Sequence, residues 1–276
     1  VRGLLLWSLA LGDFSAVLGT VSAAAPDMIA PLFAAHRGGA ALWPENSLLA
    51  FGNALGLGVD YLELDVHLSR DGEVMVIHDA TLERTTTGSG PVRERTAAEL
   101  GTLRLKDRSG AVTEEPVPTL DQVVALAAAG KRQMLLEIKT DEQRRRYPGI
   151  EEKVFAVLDR HRFTPFAIVM AFEGETWRRL RQLRPDARTG ALYSSRALPT
   201  PAIEPELQAL RQAGVVFVGL EQRTVTADVA RQARLAGLTL GVWTVNEREA
   251  IERFIGHGVG IVITDRPDLA KAALGR

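Results

Sequence analysis

A chain of 276 residues, 46% hydrophobic and 24% charged, has enough apolar material for a sizeable core, and this composition excludes a fibrous or disordered class. Its 33 basic residues against 34 acidic ones leave a formal net charge of −1, which argues against a broad nucleic-acid or anionic-membrane surface. The absence of cysteine rules out a disulfide framework, a thiolate metal site and a cysteine nucleophile, and leaves the redox compartment open.

Residues 1–27 carry Arg2, an apolar run over residues 3–12 and small residues at 21–25, the pattern of an export signal. Asp13 interrupts the run, so an upstream extension ahead of Met28 is the competing reading. A retained or mis-assigned start implies a cytoplasmic protein, and a cleaved signal a periplasmic or secreted one. No integral membrane span is expected, because a spanning helix needs roughly 20 apolar residues without a charge. Residues 28–276 then form one domain.

In chain order, short apolar runs predict strands over residues 32–35, 61–66, 134–138, 166–172, 189–193, 215–220, 238–245 and 260–264. Between them, apolar residues at three- and four-residue steps predict helices over 47–57, 120–129, 150–160, 176–183, 204–212, 227–235 and 247–255. Gly58, Gly130, Gly214, Gly237 and Gly258 stand where left-handed caps would end helices. Strands that are apolar throughout, each followed by a helix, predict an α/β fold with a parallel sheet covered by helices. Closed on itself, that sheet is a (β/α)8 TIM barrel. An open doubly wound sheet is the alternative, but no GxGxxG turn follows the first strand. Residues 80–117 are too long for an ordinary loop, and read as a small insertion between the second strand's hairpin and the following helix, covering substrate at the barrel mouth.

Residues 60–79 organise the chemistry. On an extended strand Glu63 and Asp65 point one way while Leu62, Leu64 and Val66 point the other. A turn over residues 69–72 and a returning strand over 74–77 bring back His78 and Asp79. Two acids on one face with a histidine beside them suit a divalent cation and an acid/base group. The other strand ends of a barrel would add His36 and Arg37 from HRGG, Glu137 and Lys139 on one face of the third strand, Trp243 and Asn246, and Asp265. Singly, each has an ordinary reading: a structural histidine, a plain Glu137–Lys139 ion pair, a core tryptophan, and Asp265 as a helix-capping acid ahead of Pro267. Such independent roles do not predict that all of them gather at one rim.

The motifs HRGG, PENS at residues 44–47, ELDVHLSRDG followed by VIHD, LERTTTG, PTL, EIK, WTVN and TDRP, in this order, resemble the glycerophosphodiester phosphodiesterase family over about residues 30–268. The resemblance implies a (β/α)8 barrel and metal-dependent cleavage of a glycerophosphodiester to sn-glycerol 3-phosphate and an alcohol. It further implies Glu63, Asp65 and Glu137 as metal ligands and His36 and His78 as the acid/base pair. Arg37, with Lys139, would hold the phosphate, Glu45 would orient nearby groups, and Trp243 would pack against the glycerol. The glycerol 2-hydroxyl would attack first, giving a cyclic phosphate that water opens. Ala171 and Phe172 depart from a Ser-Phe pair frequent in the family, which puts one hydroxyl contact in doubt. Glu221, at the end of another strand, is a further acid for the mouth, with a surface role as its alternative.

Elementary chemistry agrees with this assignment. A phosphodiester anion repels a nucleophile until its oxygens are neutralised, and three carboxylates suit one Mg²⁺ or Ca²⁺ better than Zn²⁺. The competing functions are a lysophospholipase D-like or phospholipase C-like phosphodiesterase and a non-catalytic binding barrel. The former would show an apolar rim, and the latter would lack a histidine or a metal acid. Nothing in the sequence assigns an oligomeric state.

Overall fold

A computed structural model describes residues 31–197 and 203–276, so the leader-like residues 1–27 lie outside the described residues. Eight parallel strands run in the order β1 (Leu32–Ala35), β2 (Tyr61–Leu68), β6 (Gln133–Ile138), β7 (Ala167–Ala171), β8 (Arg188–Tyr193), β9 (Phe217–Glu221), β10 (Thr239–Trp243) and β11 (Ile261–Thr264). The sheet closes because β1 pairs on both sides, Ala34 with Tyr61 of β2 and Leu32 with Ile261 of β11. Helices α1 (Leu48–Leu57), α3 (Leu120–Ala129), α4 (Ile150–Arg160), α5 (Gly174–Leu183), α6 (Ile203–Gln212), α7 (Ala227–Leu235), α8 (Arg248–Gly256) and α9 (Pro267–Ala273) complete the helical elements of the barrel. The (β/α)8 reading therefore holds. No helix among the described residues is long and apolar enough to cross a membrane.

Two apolar cores explain why the strands read as continuous hydrophobic runs. Leu62, Leu64 and Val66 belong to the large core between sheet and helices, whereas Tyr61, Leu135, Ile168 and Phe217 fill the barrel interior. Phe217 is fully buried, a burial worth roughly 1.5–3 kcal/mol. Its ring depends on missing side chains: a Cβ at Gly241 would lie 2.4 Å from Phe217 Cζ and one at Gly190 2.8 Å from Cδ1. Helix entry is set locally, as at α1, where the Ser47 hydroxyl accepts from Ala50 N at 2.9 Å, a cap worth about 1 kcal/mol.

The glycine caps come out differently at one position. Gly58, Gly214, Gly237 and Gly258 have left-handed φ values of 81, 80, 74 and 75°, but Gly130 ends α3 at φ −76°. The left-handed residue there is Lys131, at φ 52°, one position later. Residues 80–117 are not featureless. They hold α2 (Ala97–Thr102) and a two-stranded ribbon, β4 (Arg104–Lys106) with β5 (Val112–Pro116). These sit with β3 (Val74–Val76), the antiparallel return of β2, over a third core containing Met75, Ile77, Leu82, Leu100 and Leu105.

Candidate active site

The β2 alternation directs Glu63 and Asp65 into the barrel mouth, and β6 aligns with β2 so that Asp65 pairs in register with Glu137. All three carboxylates are buried, and each offers an oxygen within 4.8 Å of the others. Burial, with Asp65 and Glu137 nearby, pushes the Glu63 carboxyl up to about 8, although His36 opposes the shift. Burial also raises Glu137. Asp65 faces the same burial, but Lys139, His78 and Arg37 outweigh it and hold its carboxyl well below the usual range. Asp65 Oδ1 has no hydrogen-bond partner, while Oδ2 accepts from Asn46 Nδ2 at 3.0 Å. Three crowded hard-oxygen donors, one raised above the ordinary carboxylate range by burial beside the others and one with an oxygen that has no hydrogen-bond partner among the described residues, fit a divalent cation.

Two histidines flank this group. His36 closes β1, with Nδ1 2.6 Å from Asp265 Oδ1 and Nε2 4.0 Å from Glu63 Oε2. Burial pulls its pKa down, but Glu63 and Asp265 outweigh that and leave it raised. His78 follows β3, with Nδ1 2.6 Å from Asp79 Oδ1 and Nε2 3.2 Å from Lys139 Nζ. An ammonium can only donate, so His78 Nε2 accepts and the ring proton sits on Nδ1 against Asp79. Each imidazole thus has Nδ1 fixed by a carboxylate and Nε2 turned to the acidic cluster and its lysine, that of His36 toward Glu63 and that of His78 accepting from Lys139.

The cations are ordered by the same acids. Arg37, at φ 53°, gives its backbone N–H to Glu63 Oε2 at 2.8 Å and Nη1 to Glu45 Oε1 at 3.0 Å. Its buried Nε has no hydrogen-bond partner and lies 3.6 Å from Asp65 Oδ2. Next to it, a Cβ on Gly38 (φ 81°) would meet Ala50 Cβ at 2.7 Å, so only glycine lets the loop seat against α1. Lys139 pairs with Glu137 at 2.7 Å; burial lowers its pKa, but Glu137 and Asp65 raise it further. Trp243 meets Phe172 edge to face at 5.6 Å, and its buried Nε1 has no partner.

His36, Arg37, Glu45, Glu63, Asp65, His78, Glu137, Lys139 and Trp243 come together at this mouth, Glu221 does not line it, and three residues take roles that their isolated positions hid. Asp265 does not cap α9, whose N-cap is Arg266. It bonds His36 instead and is itself held by Asn246, whose Nδ2 donates to Oδ2 at 2.7 Å. Arg84 donates to both Asp79 and Glu45, with Nε to Asp79 Oδ2 at 2.6 Å and Nη1 to Glu45 Oε2 at 2.8 Å, joining the His78 and Arg37 networks. Glu221 accepts from Ser195 N at 2.8 Å, tying a loop after β8.

Two adjacent cavities lie above these groups. The inner one, about 260 Å³, contains His78, Lys139, Phe172 and Trp243, and the outer one, about 580 Å³, runs under the β4–β5 ribbon. His36, Arg37 and Thr244 line both.

The glycerophosphoryl diester phosphodiesterase family model matches residues 36–269. A glycerophosphodiester phosphodiesterase of Caldanaerobacter subterraneus subsp. tengcongensis is 34% identical over 238 residues, covering 86% of this chain and 95% of that protein. The crystal structure of a glycerophosphodiester phosphodiesterase from Agrobacterium tumefaciens superposes with a TM-score of 0.72 at 26% identity, over 88% of this chain and 99% of the other. A phosphodiesterase of Oleispira antarctica, in complex with the product sn-glycerol-3-phosphate, does so with a TM-score of 0.76 at 25% identity, over 89% and 97%.

Proposed function

The chain belongs to the glycerophosphoryl diester phosphodiesterase family, and from that membership and the geometry of the barrel mouth we propose a metal-dependent hydrolase that releases sn-glycerol 3-phosphate and an alcohol by two-histidine acid/base catalysis. The observation that carries the reading is the shared cavity: His36, His78, Glu63 and Glu137 line the inner chamber together, with buried Asp65 beside them.

Glu63, Asp65 and Glu137 would hold one Mg²⁺ or Ca²⁺. The cation would supply charge neutralisation at the phosphoryl oxygens. Arg37, whose Nε is without a partner, and Lys139 bind the phosphate from the protein side. Arg37 lies where the two chambers meet, so the phosphorus belongs at that junction with one ester arm in each. The glycerol arm takes the small inner chamber, where Trp243 and Phe172 pack against its carbons and the Trp243 N–H is available to a hydroxyl. His78 lines only that chamber, and its Nε2 is the acceptor that Lys139 occupies without substrate; with Lys139 turned to the phosphate, His78 takes the proton of the glycerol 2-hydroxyl as it attacks phosphorus. His36 lines both chambers and carries the raised pKa of an acid, so it protonates the departing alcohol from Nε2. Water then opens the cyclic phosphate with the two histidines exchanging roles.

The test is to incubate purified protein with glycerophosphodiesters of several alcohols, with and without EDTA, and to assay for glycerol 3-phosphate. Release that EDTA abolishes and Mg²⁺ or Ca²⁺ restores is expected. No release from any diester would overturn the reaction, and release that survives the chelator would overturn the metal. A lysophospholipid is included because a groove of about 380 Å³ beside the outer chamber contains Leu42, Trp43 and Leu49, an apolar surface that the insertion alone does not offer.

A further inference from the structure

The outer chamber has features that the phosphodiester chemistry leaves unused. Its far wall is built by the insertion: Thr85, Lys106 and Arg108, with the ribbon turn beyond them. This wall is anchored, since Leu105 is buried in the third core and Lys106 N donates to Thr85 O at 2.8 Å. Its charges do not cancel. Arg84 is engaged by Asp79 and Glu45, and Arg37 by Glu45. Asp107 turns Oδ1 inward to accept from Ser109 N at 2.8 Å and Ala111 N at 3.0 Å, closing the ribbon turn. Lys106 Nζ has only the neutral Glu83 carbonyl, at 2.9 Å, and Arg108 makes no ion pair among the described residues. Beside them Thr85, 4% exposed, has an Oγ1 with no hydrogen-bond partner. Among the described residues no phenylalanine, tyrosine or tryptophan lines this chamber, so they offer it none of the aromatic faces that hold a quaternary ammonium.

We infer that the outer chamber is a subsite for the alcohol of the diester and selects alcohols that carry an added anionic group, a carboxylate or a phosphate, through Arg108, Lys106 and Thr85. The inference rests on the proposed diesterase reading, in which the phosphorus sits at Arg37 and one ester arm points outward. From that junction the ribbon is the wall that faces the arm. An arginine fork presents two parallel donors to a carboxylate or phosphate, the lysine adds a second positive charge, and the Thr85 hydroxyl, unpaired among the described residues, adds a hydrogen-bond donor. A cationic alcohol meets the unpaired Lys106 and Arg108 there, while the acids that also line the chamber, Glu45, Asp107 and Asp265, are engaged by Arg84 and Arg37, by the ribbon turn and by His36.

Glycerophosphoserine and glycerophosphoethanolamine differ by a single carboxylate and test this directly. The ratio of their kcat/KM values, serine ester over ethanolamine ester, is expected to be about fivefold or more at low salt and to shrink as salt rises. Arg108→Ser is expected to bring the ratio toward one, Arg108→Glu to invert it, and Lys106→Met to lower it in part. Arg108 is exposed on the ribbon turn, so folding is not at stake in its variants. Parity in the unmodified protein, or a ratio that none of these substitutions moves, would overturn the subsite. Binding of both diesters by calorimetry runs alongside turnover: a chain that cleaves neither but binds the serine ester more tightly through Arg108 keeps the subsite and loses the reaction. Equal binding without cleavage loses both.

Discussion

Asp265 Oδ1 lies 2.6 Å from His36 Nδ1, joining residues 229 positions apart at the adjacent ends of β11 and β1. The carboxylate fixes the ring and favours its protonated form, so Asp265 is a positioning residue for His36. Asp265→Asn is expected to lower kcat by about 10- to 100-fold. Removing the negative charge lowers the pKa of His36, so the proposed acid loses its proton sooner as pH rises. The alkaline limb of the pH–rate profile should move to lower pH, and a fall in kcat with that limb unmoved would leave Asp265 only a structural role.

His36→Ala and His78→Ala are each expected to reduce turnover by at least about a hundredfold, the usual contribution of a general acid or base being 10²–10⁴. Their separate roles predict different rescue. A diester whose alcohol is a good leaving group, such as a nitrophenol, needs little protonation, so it should recover much of the rate of the His36 variant and little of that of the His78 variant. Equal recovery in both would reject the division of labour.

Cation binding should release protons. Without a cation the Glu63 carboxyl titrates at about 8, so at neutral pH it holds a proton that an incoming Mg²⁺ or Ca²⁺ must displace. Affinity should therefore fall as pH drops below about 8, by up to about tenfold per unit for one proton. Calorimetry in two buffers of different ionisation enthalpy counts the protons, and Glu63→Gln should abolish both the release and the tight binding.

His67 sits buried beneath the site, with Nδ1 2.9 Å from the Tyr147 hydroxyl and Nε2 3.0 Å from His78 O. Burial holds its pKa down to about 4, against an ordinary value of 6.5. Between those values the unfolded chain binds a proton that the folded one refuses, so the His67 contribution to stability is full above about 6.5 and is lost as pH falls toward 4. The loss approaches about 1.4 kcal/mol per pH unit, or roughly 3 kcal/mol in all. Urea unfolding at several pH values checks this. His67→Gln should flatten the difference between pH 7 and 4, and an unchanged slope would place the acid sensitivity elsewhere.

What was legible in the sequence follows the strength of each local signal. Strands buried on both faces carry uninterrupted apolar runs, so all eight barrel strands could be located, and the long amphipathic helices likewise. The six-residue α2 and the three-residue β4 are too short for a period to emerge, and the β4–β5 ribbon relies on the third core rather than its own propensity. Gly130 was misread because a glycine after a helix signals only that a left-handed residue is near, and here Lys131 adopts it. Asp265 kept two readings, a rim acid and a helix cap, because an acid just before Arg-Pro looks like a cap in one dimension, and only barrel closure brings it to His36. Arg84 stood within a quoted motif, yet its double attachment to Asp79 and Glu45 depends on how the insertion folds back.

The ring of Phe217, walled by Gly190 and Gly241, stoppers the barrel along its axis. Among the described residues the packed interior lies beneath the mouth, so the two chambers above it share one opening, and a molecule lodged in the inner one leaves past whatever occupies the outer one. The traffic rule is written by two absent side chains on strands that touch no reacting atom.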